Sequence, residues 1–204
     1  MTGPVSVPSP RGHRLATLHL TIDPAEHTRR QQAGLRNISD VHGRLLDTLM
    51  ALPASVPVPI DALTDRQQDD IRRAPAGILD LADGTVTRHA IRPCRVDLVT
   101  VHATCTRESI GNAGSYAPFC ARAVVTPTLP RRKYLLSEAN YWGIGVFLDH
   151  GHGQLETLVE PAPWQPKRHT PAAWRFAENA YATYLSCSPK KTTIPHHTGE
   201  EPRG

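Results

Sequence analysis

Asp149, His150 and His152 offer one carboxylate and two imidazoles within four residues, a donor set that suits zinc or another first-row metal ion. With a metal, or with a histidine acting alone, this cluster or a cleft beside Gly143 and Gly145 would make the protein a hydrolase. A plainer reading competes. Gly151 and Gly153 are what a tight hairpin requires, polar side chains at such a tip meet water, and the further ligand a metal needs has no evident place. A zinc site from Cys94, His102, Cys105 and Cys120 fails on spacing, which lacks the close pairs of fingers and ribbons. On an unbulged strand His102 also shares a face with Cys94 and not with Cys105, so reduced, buried thiols are the expectation. Ser109, Ser115 and Cys120 lie near Gly111 to Gly114, but that stretch matches neither GxxxxGK[ST] nor GxSxG. It reads as a connection between strands.

Cations interleaved with aromatic rings form a second pattern. Arg131, Arg132 and Lys133 precede Tyr134, and Trp164 is followed by Lys167, Arg168, His169, Trp174 and Arg175. Cations meet phosphates while rings stack on unpaired bases, so the pattern points to nucleic acid. Arg131, Arg132, Lys133, Lys167, Arg168 and Arg175 would be the phosphate contacts, and Tyr134 and Trp164 the stacking groups. In the plainer alternative Trp164 caps the edge of a core and residues 167 to 169 are a solvated approach to a helix.

The frame that must position these residues lies mostly in the second half. All eleven aromatic residues fall between Tyr116 and Tyr184, and the first 115 residues contain none. The length of 204 residues suits a domain of about 120 residues with a smaller helical attachment. Nineteen prolines and fourteen glycines imply short elements with many turns. The formal charge of +4 is modest, and the arginine, alanine and proline bias is that of a high-GC, bacterial-like genome, so the basic pI carries little functional weight. No stretch approaches the roughly 20 apolar residues that span a bilayer. Prolines interrupt the opening MTGPVSVPSPRGHR where a secretory signal needs an apolar run, so the expected location is cytoplasmic.

Residues 1 to 14 read as a disordered lead. Leu18, Leu20 and Ile22 then alternate with Thr17, His19 and Thr21, the period of a half-buried strand. Asp23 and Pro24 fit an N-cap and first helical position. From Glu26 to about Leu52, Leu35, Ile38, Val41, Leu45, Leu46 and Leu49 recur every three or four positions, which predicts one amphipathic helix. Residues 53 to 59, PASVPVP, form a stiff connector, and Asp61 to Arg73 a polar helix. TVTRHAI, CRVDLVTVHATC, ARAVVTP, YWGIGVFLD and QLETLVE read as strands of one sheet. The last two make a hairpin, Tyr141 to Asp149 with Gln154 to Glu160, placing Trp142, Ile144, Val146 and Leu148 on one face. Gly143 and Gly145 fall on the other, where something packs close. Thr170 and Pro171 open a helix that runs to Ser186, and residues 188 to 204 read as a disordered tail.

The expected architecture is α+β: residues 15 to 52 a strand and helix, 53 to 59 the connector, and 60 to 187 an α+β domain. That domain would hold a mainly antiparallel sheet of four or five strands covered by the C-terminal helix. With no reaction signature, no cofactor and no membrane segment expected, the functional expectation is a non-enzymatic binding or accessory module. Its C-terminal half would contact nucleic acid. The alternatives are an adaptor that docks a protein partner on the helix at 26 to 52 and, last, the hydrolase.

Overall fold

The computed structural model describes residues 5–9, 16–38, 43–166 and 168–187. Its first half contains β1 (Val5–Pro8), β2 (Ala16–Ile22), α1 (Pro24–Gln32), α2 (Gly43–Ala51), β3 (Pro57–Pro59), α3 (Asp65–Arg72), β4 (Leu79–Ala82) and β5 (Thr85–Arg88). Its second half contains β6 (Cys94–His102), α4 (Arg107–Gly114), β7 (Ala121–Thr126), α5 (Tyr134–Tyr141), β8 (Gly145–Asp149), β9 (Leu155–Val159) and α6 (Pro171–Cys187).

The alternation in β2 works as expected: Leu18, Leu20 and Ile22 are buried, while Thr17, His19 and Thr21 face the other way and are only partly covered. β2 sits inside a six-stranded sheet of order β1-β2-β6-β7-β8-β9. Three of its five pairings are antiparallel, but the central pairs, β6 with β7 and β7 with β8, are parallel. Parallel neighbours need long crossovers, and α4 and α5 supply them. Both helices pack with α6 on one face of the sheet. There Leu20, Val99, Val124 and Val146 meet Ile110, Ala139, Phe176 and Tyr181.

A smaller antiparallel sheet, β3-β5-β4, carries α2 and α3. Leu35, Ile38, Leu45, Leu46 and Leu49 close a second core over Ile78, Ala90 and Trp174 of α6. Between the two cores runs a buried ion network. Arg30 of α1 donates from Nε to Glu26 at 2.6 Å, and from Nη1 and Nη2 to the two oxygens of Glu178 on α6, both at 2.7 Å. Trp174 Nε1 donates to the same Glu178 at 2.9 Å, and Arg30 Nη2 reaches the Ile91 carbonyl at 2.9 Å. Burial alone works against the Arg30 charge, but the bonds and charge of Glu178, then of Glu26, outweigh it and hold its pKa above the usual range.

Several expectations change. The sheet has six strands rather than four or five, because both β2 and Val5–Pro8 join it: β2 pairs with β6, and Val5–Pro8, not part of a disordered lead, pairs with β2 and buries Val7. The segment from Glu26 to Leu52 is not one helix. α1 ends at Gln32, Gly34 takes φ +64°, residues 35 to 38 are not helical, and α2 is a separate helix over Gly43–Ala51. Gly111 to Gly114, read as a strand connection, are the last turn of α4. Thr106 and Ser109 cap each other's backbone, and Ile110, Ala113 and Tyr116 supply an apolar edge that two glycines obscured. β5, expected in the main sheet, belongs to the small one. The β8–β9 hairpin and the capped C-terminal helix stand where expected, with Thr170 Oγ1 accepting from Ala173 N at 3.1 Å. The first strand of the hairpin is shorter than the expected Tyr141 to Asp149: β8 begins at Gly145, Tyr141 ends α5, and Trp142 caps that helix and is exposed. The tail, 188 to 204, lies outside the described residues.

Candidate functional site

The structure does not bring the two basic and aromatic clusters together. Arg131, Arg132, Lys133 and Tyr134 are exposed and follow the C-terminal end of β7. They are partly occupied with each other and with α4: Arg132 Nη1 donates to the Tyr134 hydroxyl at 3.2 Å, and the Arg107 guanidinium lies 5.5 Å from the Tyr134 ring centre. Trp164 is anchored at the opposite end, where its Nε1 donates to the Ala117 carbonyl at 3.0 Å, just ahead of β7. Strand rise over the length of β7 separates the clusters by roughly 20 Å. Arg168 and Arg175 are exposed near the start of α6, and Lys167 lies outside the described residues.

Trp164 instead meets residues that the sequence pattern did not single out. Around it is a cleft of about 820 Å³ at the end of the main sheet, where β2 finishes and β6 begins. Its apolar wall is aromatic. Phe119 stacks on Phe176 of α6 with ring centres 4.6 Å apart and planes 24° apart, and the Trp164 indole stands beside them. Its polar rim comes from the start of β6. Arg92 donates from Nη2 to His169 Nδ1. Arg95 donates from Nε to Asp97 Oδ1 at 2.5 Å, and Thr21 Oγ1 donates to Asp97 Oδ2 at 2.6 Å. The Arg95 side chain is 74 % exposed, so most of its donors face solvent beside the cleft.

Local chain geometry explains why these groups meet. The Asp23 amide donates to the Pro93 carbonyl at 2.9 Å, locking the end of β2 to the start of β6. After β9 the chain crosses the end of the sheet as a strap, with Pro161 against Gly145 and Ala162 against Gly143. A Cβ on Gly145 would come 2.9 Å from Pro161 Cδ, and one on Gly143 2.8 Å from Ala162 Cβ. Something does pack close there, as the two glycines suggested, and it is the chain's own strap. That strap delivers Trp164 and then His169 to the cleft. The available signal for the missed residues was RPCRVD, two arginines bracketing the entry of a strand.

The hairpin cluster resolves into turn chemistry. Asp149 Oδ1 accepts from the Gly151 amide at 2.8 Å, His150 Nε2 lies 2.8 Å from Glu156, and His152 takes φ +53° in the turn. Among the described residues no three histidine, cysteine, aspartate or glutamate side chains gather to hold a metal ion. Cys94, Cys105 and Cys120 are buried free thiols, with Cys94 and Cys120 pushed up to about 12 by burial. The parity argument for His102 is corrected by a bulge. β6 shifts register opposite His19 and Leu20, so Cys94 joins Val99 and Cys105 in the core while His102 lies on the opposite face, exposed, beside Thr100 and His19. The stripe offered to a protein partner is covered: Leu45 is 2 % exposed and Leu46 and Leu49 are fully buried in the chain's own second core.

Compared with known proteins, the chain matches no family model, no curated protein and no solved structure.

Proposed function

We propose that this protein is a non-enzymatic binding module that takes single-stranded nucleic acid at the cleft beside Trp164. One observation carries the reading: the Trp164 indole, the Phe119–Phe176 stack and the cations of Arg92 and Arg95 share one cleft of about 820 Å³. Aromatic faces accept unpaired bases without regard to sequence, and cations at the rim take the phosphates that follow. Arg168, exposed and next to His169 in sequence, is a further cation close to this cleft along the chain. Arg131, Arg132 and Lys133 fall outside this footprint, since they follow the far end of β7.

Oligothymidylate titrated into the protein, read by tryptophan fluorescence at several salt concentrations, tests the proposal. Saturable quenching that weakens with salt is expected. Trp164→Ala should weaken binding by about fivefold or more, the lower range for one stacked base. Replacing Arg92 and Arg95 by alanine should flatten the log–log salt slope by about 0.7 for each lost contact. The Arg131→Ala, Arg132→Ala double variant should leave that slope unchanged. No saturable response at low salt would overturn the reading.

A further inference from the structure

Two aromatic rings at the same end of the sheet stand outside every core. Tyr141 ends α5 and Trp142 caps it; they are 80 % and 56 % exposed, and their rings meet edge to face at 5.0 Å. Two adjoining rings turned to water in this way present apolar area that a partner with flat rings would cover. Its position is fixed. Arg122 of β7 donates from Nη2 to the Trp142 carbonyl at 2.6 Å, and Gly143, at φ +66°, turns the chain out of the helix. The Ala162 amide donates to the Gly143 carbonyl at 3.2 Å. Ala162 is two residues from Trp164, a chain distance of about 7 Å. The exposed pair and the cleft therefore flank one strap of chain. In strand order, Arg92 and Arg95 stand at the β6 end, Phe119 and Arg122 at the β7 end, and Trp142 beside the β8 end.

We infer that Tyr141 and Trp142 form a second stacking platform, so that the ligand is a strand of several nucleotides laid across the ends of β6, β7 and β8. This rests on the reading of the Trp164 cleft as a nucleic-acid site and adds its extent and direction. Neighbouring strands are about 4.8 Å apart, so the surface from β6 to β8 spans roughly 10 Å, and the side chains of Arg92 and Arg95 at one side and Trp142 at the other extend it beyond the length of one nucleotide. A protein partner could use an exposed aromatic pair anywhere; continuity with a cleft edged by Arg92 and Arg95 favours a polyanion whose units carry flat rings.

The test compares wild-type protein with Trp142→Ala, Tyr141→Ala and Trp142→Phe, each checked by circular dichroism and thermal midpoint. A twelve-nucleotide oligothymidylate gives the affinity, and stoichiometric titration of polythymidylate gives the nucleotides covered per protein. Trp142→Ala is expected to weaken the twelve-nucleotide complex by about fivefold or more and to reduce the number of nucleotides covered, while Trp142→Phe keeps both near wild type. Unchanged affinity and coverage in both alanine variants, with wild type still binding, would overturn the second platform and leave the cleft standing. A loss that Trp142→Phe fails to rescue would make the ring a prop and equally overturn it. Failure of wild-type protein to bind either oligomer would remove the nucleic-acid reading, and this extension with it.

Discussion

At the scale of single residues, burial sorts the four cysteines into two chemical classes. Cys94 donates from Sγ to the Ala177 carbonyl at 3.3 Å beneath α6, and Cys105 and Cys120 lie in the same core, whereas Cys187 at the end of α6 is exposed. Thiol chemistry runs through the thiolate, so a pKa pushed up to about 12 by burial leaves Cys94 and Cys120 inert at neutral pH even before access is considered. A thiol reagent on the native protein should therefore label Cys187 rapidly and the other three only after denaturation. Peptide mapping would show it, and fast labelling of Cys94 or Cys120 would contradict the core described above. That these thiols were structural was legible in their spacing. Which face each occupied was not, because one extra residue near Asp97 reverses the parity of everything before it on β6. A bulge leaves no compositional mark in CRVDLVTVH.

At the scale of elements, the sequence showed best what its periodicity or capping made explicit. β2, the β8–β9 hairpin and α6 carry clean alternation or a Thr-Pro start, and they stand where those signals place them. α4 and α5 were hidden, the first by Gly111 and Gly114, which face open space and cost helix stability without breaking it, the second by its merger with the aromatic run into β8. With both crossover helices unseen, the parallel centre of the sheet could not be deduced. The ion network was equally silent, since Glu26, Arg30 and Glu178 look like surface residues of two helices. In the fold they are buried, and removing one partner leaves charges without compensation or water. Arg30→Ala should cost about 3–5 kcal/mol in urea unfolding, the usual penalty for breaking a buried pair. Arg72→Ala, which removes an exposed pair with Asp69, should cost less than about 1 kcal/mol. Equal effects from the two would show that Arg30 reaches water.

At the scale of the whole molecule, α6 prevents the two cores from acting as independent domains. Phe176, Ala177, Ala180 and Tyr181 close the main sheet, while Trp174 on the same helix closes the smaller core over Leu45, Leu46 and Leu49. Glu178 between them ties in α1 through Arg30. The proline-rich stretch at 53 to 59 marked a change of composition, but not a line along which the chain divides: Pro57–Pro59 is itself a strand of the small sheet, and the N-terminal β1 and β2 complete the large one. The Trp164 cleft depends on the same arrangement, because the strap that delivers Trp164 and His169 leads directly into α6, whose Phe176 forms the cleft wall. Damage to the small core should therefore reach the site. Leu46→Ala removes a fully buried side chain and should cost about 2–5 kcal/mol. Hydrogen exchange followed by mass spectrometry should then show lost protection in β6 and β7 as well as in α2, in equal free-energy measure for the amides that open only by global unfolding. Loss confined to α2 and its neighbours would mean that the small core opens alone, and that the cleft is framed by the main sheet and α6 without it.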